Sequence, residues 1–203
     1  MILEFKPSLL TLGVFVTILQ LFLYVNAPLI FPEPYVPKVQ SIILLYMIVN
    51  FGFSFLYFYI PNIKAPLVPR DVTKPFWEQL IWFFVSFFIF ASLLKAIPLP
   101  NSSHIFQIEQ TLKIALPFMI LFSFVVAYTE ELVFRGILPR ILTDIGSNIL
   151  FGLFHFYAYQ GNMYSILIAI IFGFIFSIIR DKLGLMGAVG MHTAWNLKIM
   201  GAF

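Results

Sequence analysis

Long apolar stretches are the feature of this sequence that most constrains its fold. Seven of them can be marked, at about 8–27, 40–60, 77–97, 112–129, 148–160, 163–179 and 183–201. A membrane-spanning helix needs about 20 apolar residues, and most of the stretches are close to that length. Only 10% of the 203 residues are charged and 61% are hydrophobic, a balance unsuited to a soluble domain. The sequence therefore predicts an all-α fold, a polytopic membrane helix bundle of about seven transmembrane helices.

Composition also limits the classes of function. The chain contains no cysteine, which excludes disulfides, thiolate metal sites and cysteine nucleophiles. A net charge of +3 is too small to indicate a nucleic-acid partner. Many membrane transporters are built from internal repeats, and no repeat is visible in this sequence. Transport is therefore disfavoured.

The distribution of lysine and arginine predicts the orientation of the chain in the membrane. With seven spans, one side carries eight basic residues: Lys6, Lys64, Arg70, Lys74, Arg135, Arg140, Arg180 and Lys182. The other side carries four: Lys38, Lys95, Lys113 and Lys198. Because basic loop residues stay preferentially in the cytoplasm, we expect a cytoplasmic N-terminus and a C-terminus on the opposite side of the cell membrane.

The fifth apolar stretch, 148–160, is unusually short. A helix of this length rises about 20 Å, whereas the hydrocarbon core of a bilayer is about 30 Å thick. We therefore expect an interior helix that its neighbours shield from lipid. This stretch contains His155.

Two adjacent glutamates lie at the end of the fourth apolar stretch. Thr129 is expected to cap a helix that begins there, with Glu130 and Glu131 favoured in its first turn. Glu131 and Arg135 are four residues apart, so they share a helix face and can form an ion pair. Glu130 points about 100° away from that pair, free to face a cavity and act as a general base. We expect a structural role for Glu131 and Arg135 and a chemical role for Glu130.

Two histidines and one asparagine lie in later apolar stretches. Ionisable residues are costly inside a bilayer and are by default candidates for function. His155 stands alone among aromatic residues, a setting more typical of a hydrogen-bonded buried residue than of a catalyst. His192 and Asn196 are four residues apart, and asparagine offers neutral donors for a developing oxyanion. His104 falls in a predicted loop and receives no role.

Small residues recur in the last apolar stretch. Gly184, Gly187 and Gly190 stand three residues apart. Such spacing lets a neighbouring helix approach closely. No Gly-x-Gly-x-x-Gly phosphate loop is present, so we expect these glycines to serve helix packing.

The polar segments occur together, in order, on separate predicted helices. They read Glu130-Glu131-x-x-x-Arg135, Phe151-x-x-x-His155 and His192-x-x-x-Asn196. They resemble the three signature motifs of the CAAX protease and bacteriocin-processing (CPBP, or Abi) family of intramembrane proteases, which includes the Ras-converting CAAX prenyl endopeptidases. The resemblance covers about the last ninety residues. It divides the chain into N-terminal transmembrane helices without a motif (1–110) and an intramembrane peptidase core (111–203).

The resemblance implies an endopeptidase that hydrolyses a peptide bond in a membrane-anchored or prenylated (CAAX-type) substrate. Glu130 and His155 would activate the attacking water, and His192 and Asn196 would form the oxyanion hole. The ion pair described above would brace the site. Because Glu130 lies at the predicted cytoplasmic end of its stretch, we expect the active-site cavity to open towards the cytoplasm.

The residue types leave metal dependence open. Members of the family are often described as metalloproteases, and Glu130, His155 and His192 would supply the ligand set of a catalytic zinc. That use would occupy the best base and leave only Glu131, which Arg135 already engages. We therefore favour glutamate catalysis without a metal, with Zn²⁺ as the alternative cofactor.

A second class of function fits the same residues. A non-catalytic membrane binding or immunity protein would use the polar cavity to hold a partner. In both cases the partners are the lipid bilayer and a membrane-embedded or lipid-modified peptide or protein. The enzyme predicts that Glu130→Gln loses cleavage, whereas the binding protein predicts that Glu130→Ala loses partner capture and that no cleavage is seen.

Overall fold

Helices make up nearly all of the structure. The computed structural model describes residues 7–31, 33–59, 76–96, 116–156, 159 and 161–202. Within these ranges lie seven α-helices: α1 (Pro7–Ile30), α2 (Val36–Tyr59), α3 (Phe76–Leu94), α4 (Leu116–Glu131), α5 (Pro139–Phe154), α6 (Met163–Leu183) and α7 (Leu185–Ile199). A π-helical segment, Leu132–Ile137, joins α4 to α5. The described ranges contain no β-strand, so the predicted all-α fold is confirmed.

Several of these helices are suited to a membrane. Among the described residues, four stretches are long and apolar enough to span one: Gly13–Ile30, Trp77–Leu94, Leu116–Ile137 and Met163–Leu183. Val36–Gly52 and Ile141–Phe154 are apolar but shorter. Large apolar side chains are exposed along these helices, among them Ile18 (59%), Ile48 (61%) and Phe88 (62%). Lipid solvates such surfaces, whereas a soluble protein rarely exposes so many.

Helix α7 lies at the centre of the bundle. Its residues from Leu185 to Trp195 are all buried, and α3, α4 and α6 pack against it. A Cβ atom at Gly190 would overlap the carbonyl oxygen of Phe83 and the hydroxyl of Ser86 on α3. The predicted close approach of a neighbouring helix is therefore confirmed at Gly190.

Gly190→Ala is expected to lower the free energy of unfolding by roughly 1–3 kcal/mol, because the new methyl group would push α3 away from the central helix. Thermal unfolding of the detergent-purified protein measures the change. Gly52→Ala is the matched control, since no atom of a neighbouring described residue lies within 4 Å of a Cβ at that helical position. Equal unfolding temperatures for the two variants would contradict the close contact.

Helix α5 differs from the predicted fifth stretch. It begins at Pro139 and ends at Phe154, immediately before His155. Within the predicted stretch, Ile149 and Leu153 are 42% and 47% exposed, whereas Asn148 is fully buried. The expectation of an interior helix that its neighbours shield from lipid was therefore wrong. In a membrane, polar side chains turn towards the protein because lipid solvates only the apolar ones.

The two predicted parts of the chain share their packing. One hydrophobic cluster joins Leu23 of α1 and Ile43 of α2 to Val125 of α4 and Val189 of α7. The predicted boundary between 1–110 and 111–203 falls outside the described residues and remains a prediction. The same holds for the orientation in the membrane, because several of its residues lie outside the described ranges: Lys6, Lys64, Arg70, Lys74 and Lys113. His104 also lies outside them.

Candidate active site

The two adjacent glutamates are buried at the end of α4. Glu130 is 5% exposed and Glu131 is fully buried, and the chain continues directly into the π-helical segment. The predicted helix start at Thr129 was wrong, because Thr129 lies inside α4 and its hydroxyl donates to the carbonyl oxygen of Val125 (3.0 Å). Both glutamates contact buried polar side chains. These contacts stabilise the two carboxylates in place of the first turn of a new helix.

The carboxylate of Glu131 contacts two side chains, the guanidinium of Arg135 and the imidazole of His192. Its Oε1 lies 3.2 Å from Nη1 of Arg135, and both side chains are fully buried. The same Oε1 lies 2.7 Å from Nδ1 of His192 on α7. Because a carboxylate can only accept, Nδ1 of His192 carries the proton in this contact. The predicted Glu131–Arg135 ion pair is present, and its carboxylate also orients a candidate catalytic imidazole.

Arg135 is enclosed by aromatic rings. Its guanidinium carbon lies 4.0 Å from the centre of the Phe151 ring and 5.3 Å from that of Phe176. Arg180 donates to the carbonyl oxygen of Arg135 (2.9 Å) and pairs with Asp144 (3.0 Å). Ring faces attract a cation, so these contacts help to hold a charged side chain inside the bundle.

Glu130 lies where three helices and the end of α5 meet. Its Oε2 is 3.6 Å from Nε2 of His155 and 3.6 Å from Nε2 of His192. Its Oε1 accepts a hydrogen bond from the phenol of Tyr46 on α2 (2.5 Å). Within the described part of the chain, Oε2 accepts no hydrogen bond. The structure therefore brings Glu130, His155 and His192 together around one carboxylate oxygen.

The backbone at the end of α5 fixes the imidazole of His155. Its Nδ1 lies 2.7 Å from the carbonyl oxygen of Phe151, and a carbonyl only accepts, so Nδ1 carries the proton. The lone pair of the neutral ring is then on Nε2, which faces Glu130. Tyr159 stacks on the ring, with 5.5 Å between centroids.

Asn196 lies one turn beyond His192 on α7 and is partly buried. The four-residue spacing places both side chains on one face of the helix. In the part of the chain that the structure describes, no hydrogen bond joins the Asn196 side chain to the other candidate site residues. The structure thus assembles the glutamates, Arg135 and both histidines, and leaves Asn196 beside them.

Three buried polar residues of the N-terminal helices were not singled out by the sequence analysis. Tyr46 contacts Glu130, and Gln20 and Asn50 form a hydrogen-bonded chain that ends on Thr129. Gln20 is fully buried and Asn50 is 2% exposed. For Gln20 and Asn50, the available signal was an amide side chain inside an apolar stretch, because polar residues are rare in transmembrane helices.

The described residues do not form a metal site as they stand. Among them, no group of three or more histidine, aspartate or glutamate side chains is arranged to hold a metal ion. Glu130, His155 and His192 carry the oxygen and nitrogen donors that bind zinc in proteins. In the described structure, these three side chains are not arranged as a metal site. Catalysis without a metal stays a prediction.

Comparison with known proteins identifies the segment that carries these residues. Residues 112–198 match the family described as type II CAAX prenyl endopeptidase Rce1-like. No curated protein and no solved structure matches the chain. The matched range includes all three motifs, which confirms the resemblance inferred from them. Over residues 112–198, this membrane protein is therefore similar to the Rce1-like type II CAAX prenyl endopeptidases.

Proposed function

We propose that this protein is an intramembrane endopeptidase in which Glu130 activates the attacking water. One observation carries the proposal: a buried carboxylate oxygen of Glu130 faces Nε2 of both His155 and His192, at 3.6 Å each. The match to a family of endopeptidases supports peptide-bond hydrolysis as the reaction.

The first step is removal of a proton from water. A water molecule against Oε2 of Glu130 would give its proton to the carboxylate as its oxygen attacks the scissile carbonyl carbon. Nε2 of His155 faces the same oxygen, and its lone pair would accept a hydrogen bond from that water. The contact between Nδ1 of His155 and the Phe151 carbonyl keeps this lone pair directed at Glu130.

The second requirement is stabilisation of the negative charge that forms on the carbonyl oxygen. Glu131 holds Nδ1 of His192, so Nε2 can donate to the oxyanion when both ring nitrogens carry protons. The amide of Asn196, one turn along the same helix face, would supply a second donor. The C–N bond then breaks as Glu130 passes its proton to the leaving amine.

The substrate we propose is a membrane-anchored or prenylated (CAAX-type) peptide or protein. A site buried among apolar helices suits a substrate that is itself held in the membrane. The excess of basic residues on one side of the predicted spans supports a location in the cell membrane with a cavity open to the cytoplasm. Recognition of the prenyl group itself is part of this proposal and is decided by the experiment below.

Purified protein in detergent is expected to cleave at least one member of a panel of quenched fluorescent peptides. The panel pairs farnesylated CAAX peptides with the same membrane peptides lacking the lipid. Faster cleavage of the farnesylated member of a pair would assign prenyl recognition, and equal rates would argue against it. If the folded protein cleaves none of them, the binding or immunity function becomes the better explanation.

Chelation is expected to leave the cleavage rate within about twofold of its starting value, because the proposed steps use Glu130 alone as the base. The assay compares protein before and after EDTA treatment and removal of the chelator. Two imidazoles and a carboxylate are also a zinc ligand set, which makes this a sharp test. Activity that EDTA removes and Zn²⁺ restores would contradict catalysis without a metal.

A further inference from the structure

Tyr46 brings the N-terminal half of the chain to the candidate active site. It lies on α2, is 8% exposed, and its phenol donates to Oε1 of Glu130 over 2.5 Å. The preceding residues Leu44 and Leu45 are 46% and 52% exposed, so α2 presents apolar side chains outwards and this phenol inwards. Tyr46 therefore differs from a residue that only fills space in the core, because its phenol donates a hydrogen bond to one specific carboxylate oxygen.

The two oxygens of Glu130 have different neighbours. Oε1 accepts the hydrogen bond from Tyr46, whereas Oε2 faces Nε2 of both imidazoles. A donor on one oxygen of a carboxylate fixes the rotation of the whole group, and hydrogen bonds to an ionised acceptor are the strong ones. Without this donor, the carboxylate could rotate and turn Oε2 away from His155 and His192.

We propose that Tyr46 is a positioning residue that fixes the Glu130 carboxylate, so that Oε2 faces the two imidazoles and the water to be activated. This proposal rests on the proposed function, since it assigns a role within the same reaction. Tyr46 acts through Glu130 and has no contact with the reacting atoms in this scheme.

A buried hydrogen-bonded chain holds α2 in the register that this contact requires. Asn50, one turn beyond Tyr46, donates to Oε1 of Gln20 on α1 (3.0 Å). Gln20 in turn donates to the hydroxyl of Thr129 (3.2 Å), which precedes Glu130 on α4. The turn of α2 that bears the phenol is thereby linked to the turn of α4 that bears the carboxylate.

The active site therefore extends beyond the segment that matches the family. Residues 112–198 carry the glutamates and both histidines, but Tyr46 lies outside that range. On this proposal the matched segment alone lacks the donor that orients its own base. The N-terminal helices thus contribute to catalysis as well as to packing.

Tyr46→Phe in the full-length protein is expected to lower kcat by roughly 10- to 100-fold and to leave KM within about twofold, because the variant loses one hydrogen bond to a charged group. Steady-state rates are measured with the panel peptide that the wild-type protein cleaves fastest. Tyr128→Phe is the matched control, since Tyr128 is 1% exposed and its ring packs against Phe124. An unchanged kcat in Tyr46→Phe, or an equal loss in both variants, would overturn the proposal.

Infrared spectroscopy gives a readout that does not depend on cleavage. The vibration of the Glu130 carboxyl group is assigned as the band that Glu130→Gln removes. Loss of the phenol donor is expected to shift this band in Tyr46→Phe and not in Tyr128→Phe, and a band that stays in place would overturn the proposal. Failure of the proposed function has a different signature, namely equal cleavage by the wild-type protein and Glu130→Gln.

Discussion

Replacing Glu130 by glutamine is expected to lower kcat/KM by about 1,000-fold or more. Glutamine has almost the same shape, but its amide cannot accept the proton that the attacking water must lose. General-base catalysis contributes roughly 10²- to 10⁴-fold to a rate, and about 1,000-fold corresponds to about 4 kcal/mol of transition-state stabilisation. The measurement is cleavage of the fastest panel peptide by purified protein.

Two further variants separate the chemistry of Glu130 from its packing. Glu33→Gln makes the same change at an exposed residue between α1 and α2, and wild-type activity is expected. Glu130→Asp keeps the carboxylate but withdraws it by one methylene, and a displacement of about 1 Å costs on the order of 10²-fold in rate. The expected order of activity is Glu33→Gln, then Glu130→Asp, then Glu130→Gln.

Folding must be shown for each variant, because Glu130 is buried and contacts Tyr46. Gel filtration and thermal unfolding in detergent provide that control. A folded Glu130→Gln protein that cleaves at the wild-type rate would remove Glu130 from the role of base. The same variant without activity, but with the infrared band of Tyr46→Phe unchanged, would support the base and reject its positioning by Tyr46.

The sequence was sufficient for features that depend on local spacing. Apolar stretches predict helices because each span must satisfy its backbone hydrogen bonds internally, and every predicted stretch overlaps an observed helix. The four-residue spacing of Glu131 and Arg135 predicts a pair on one helix face, and their side chains lie 3.2 Å apart. The π-helical segment that contains Arg135 does not separate them.

The features that the sequence did not predict depend on contacts between distant residues. Thr129 was expected to begin a helix, because serine and threonine before acidic residues usually cap one. Instead it accepts a hydrogen bond from Gln20, more than a hundred residues earlier in the chain, and the helix continues. This contact depends on the packing of α1 against α4, and local spacing carries no information about it.

The residues that contact the histidines could not be predicted from the sequence for the same reason. His192 lies sixty-one residues after Glu131, so no local pattern relates the two side chains. The resemblance to a family placed them in one site, but it did not say that Glu131 orients His192 through Nδ1. Tyr46 lies outside the matched motifs altogether, and its role follows only from the distance to Glu130.

Arg135→Met is expected to lower the free energy of unfolding by about 3–5 kcal/mol, the largest stability effect we predict. Removing one partner of a buried ion pair leaves the other charge uncompensated. The carboxylate of Glu131 is fully buried. Of its two partners among the described residues, His192 would remain after the change. Methionine fills similar space near the phenyl rings of Phe151 and Phe176. The decrease in the free energy of unfolding is therefore due mainly to the lost charge.

The double variant Glu131→Gln, Arg135→Met tests that explanation. With both charges removed, no buried carboxylate is left unpaired, and much of the lost stability is expected to return. Peptidase activity of the double variant is expected to be low, because a neutral glutamine does not hold His192 as the carboxylate does. Lys38→Met, at an exposed position on α2, serves as the control for loss of a cation. If Arg135→Met unfolds at the same temperature as that control, the ion pair contributes nothing to stability. If the double variant cleaves peptide at the wild-type rate, Glu131 does not act through His192.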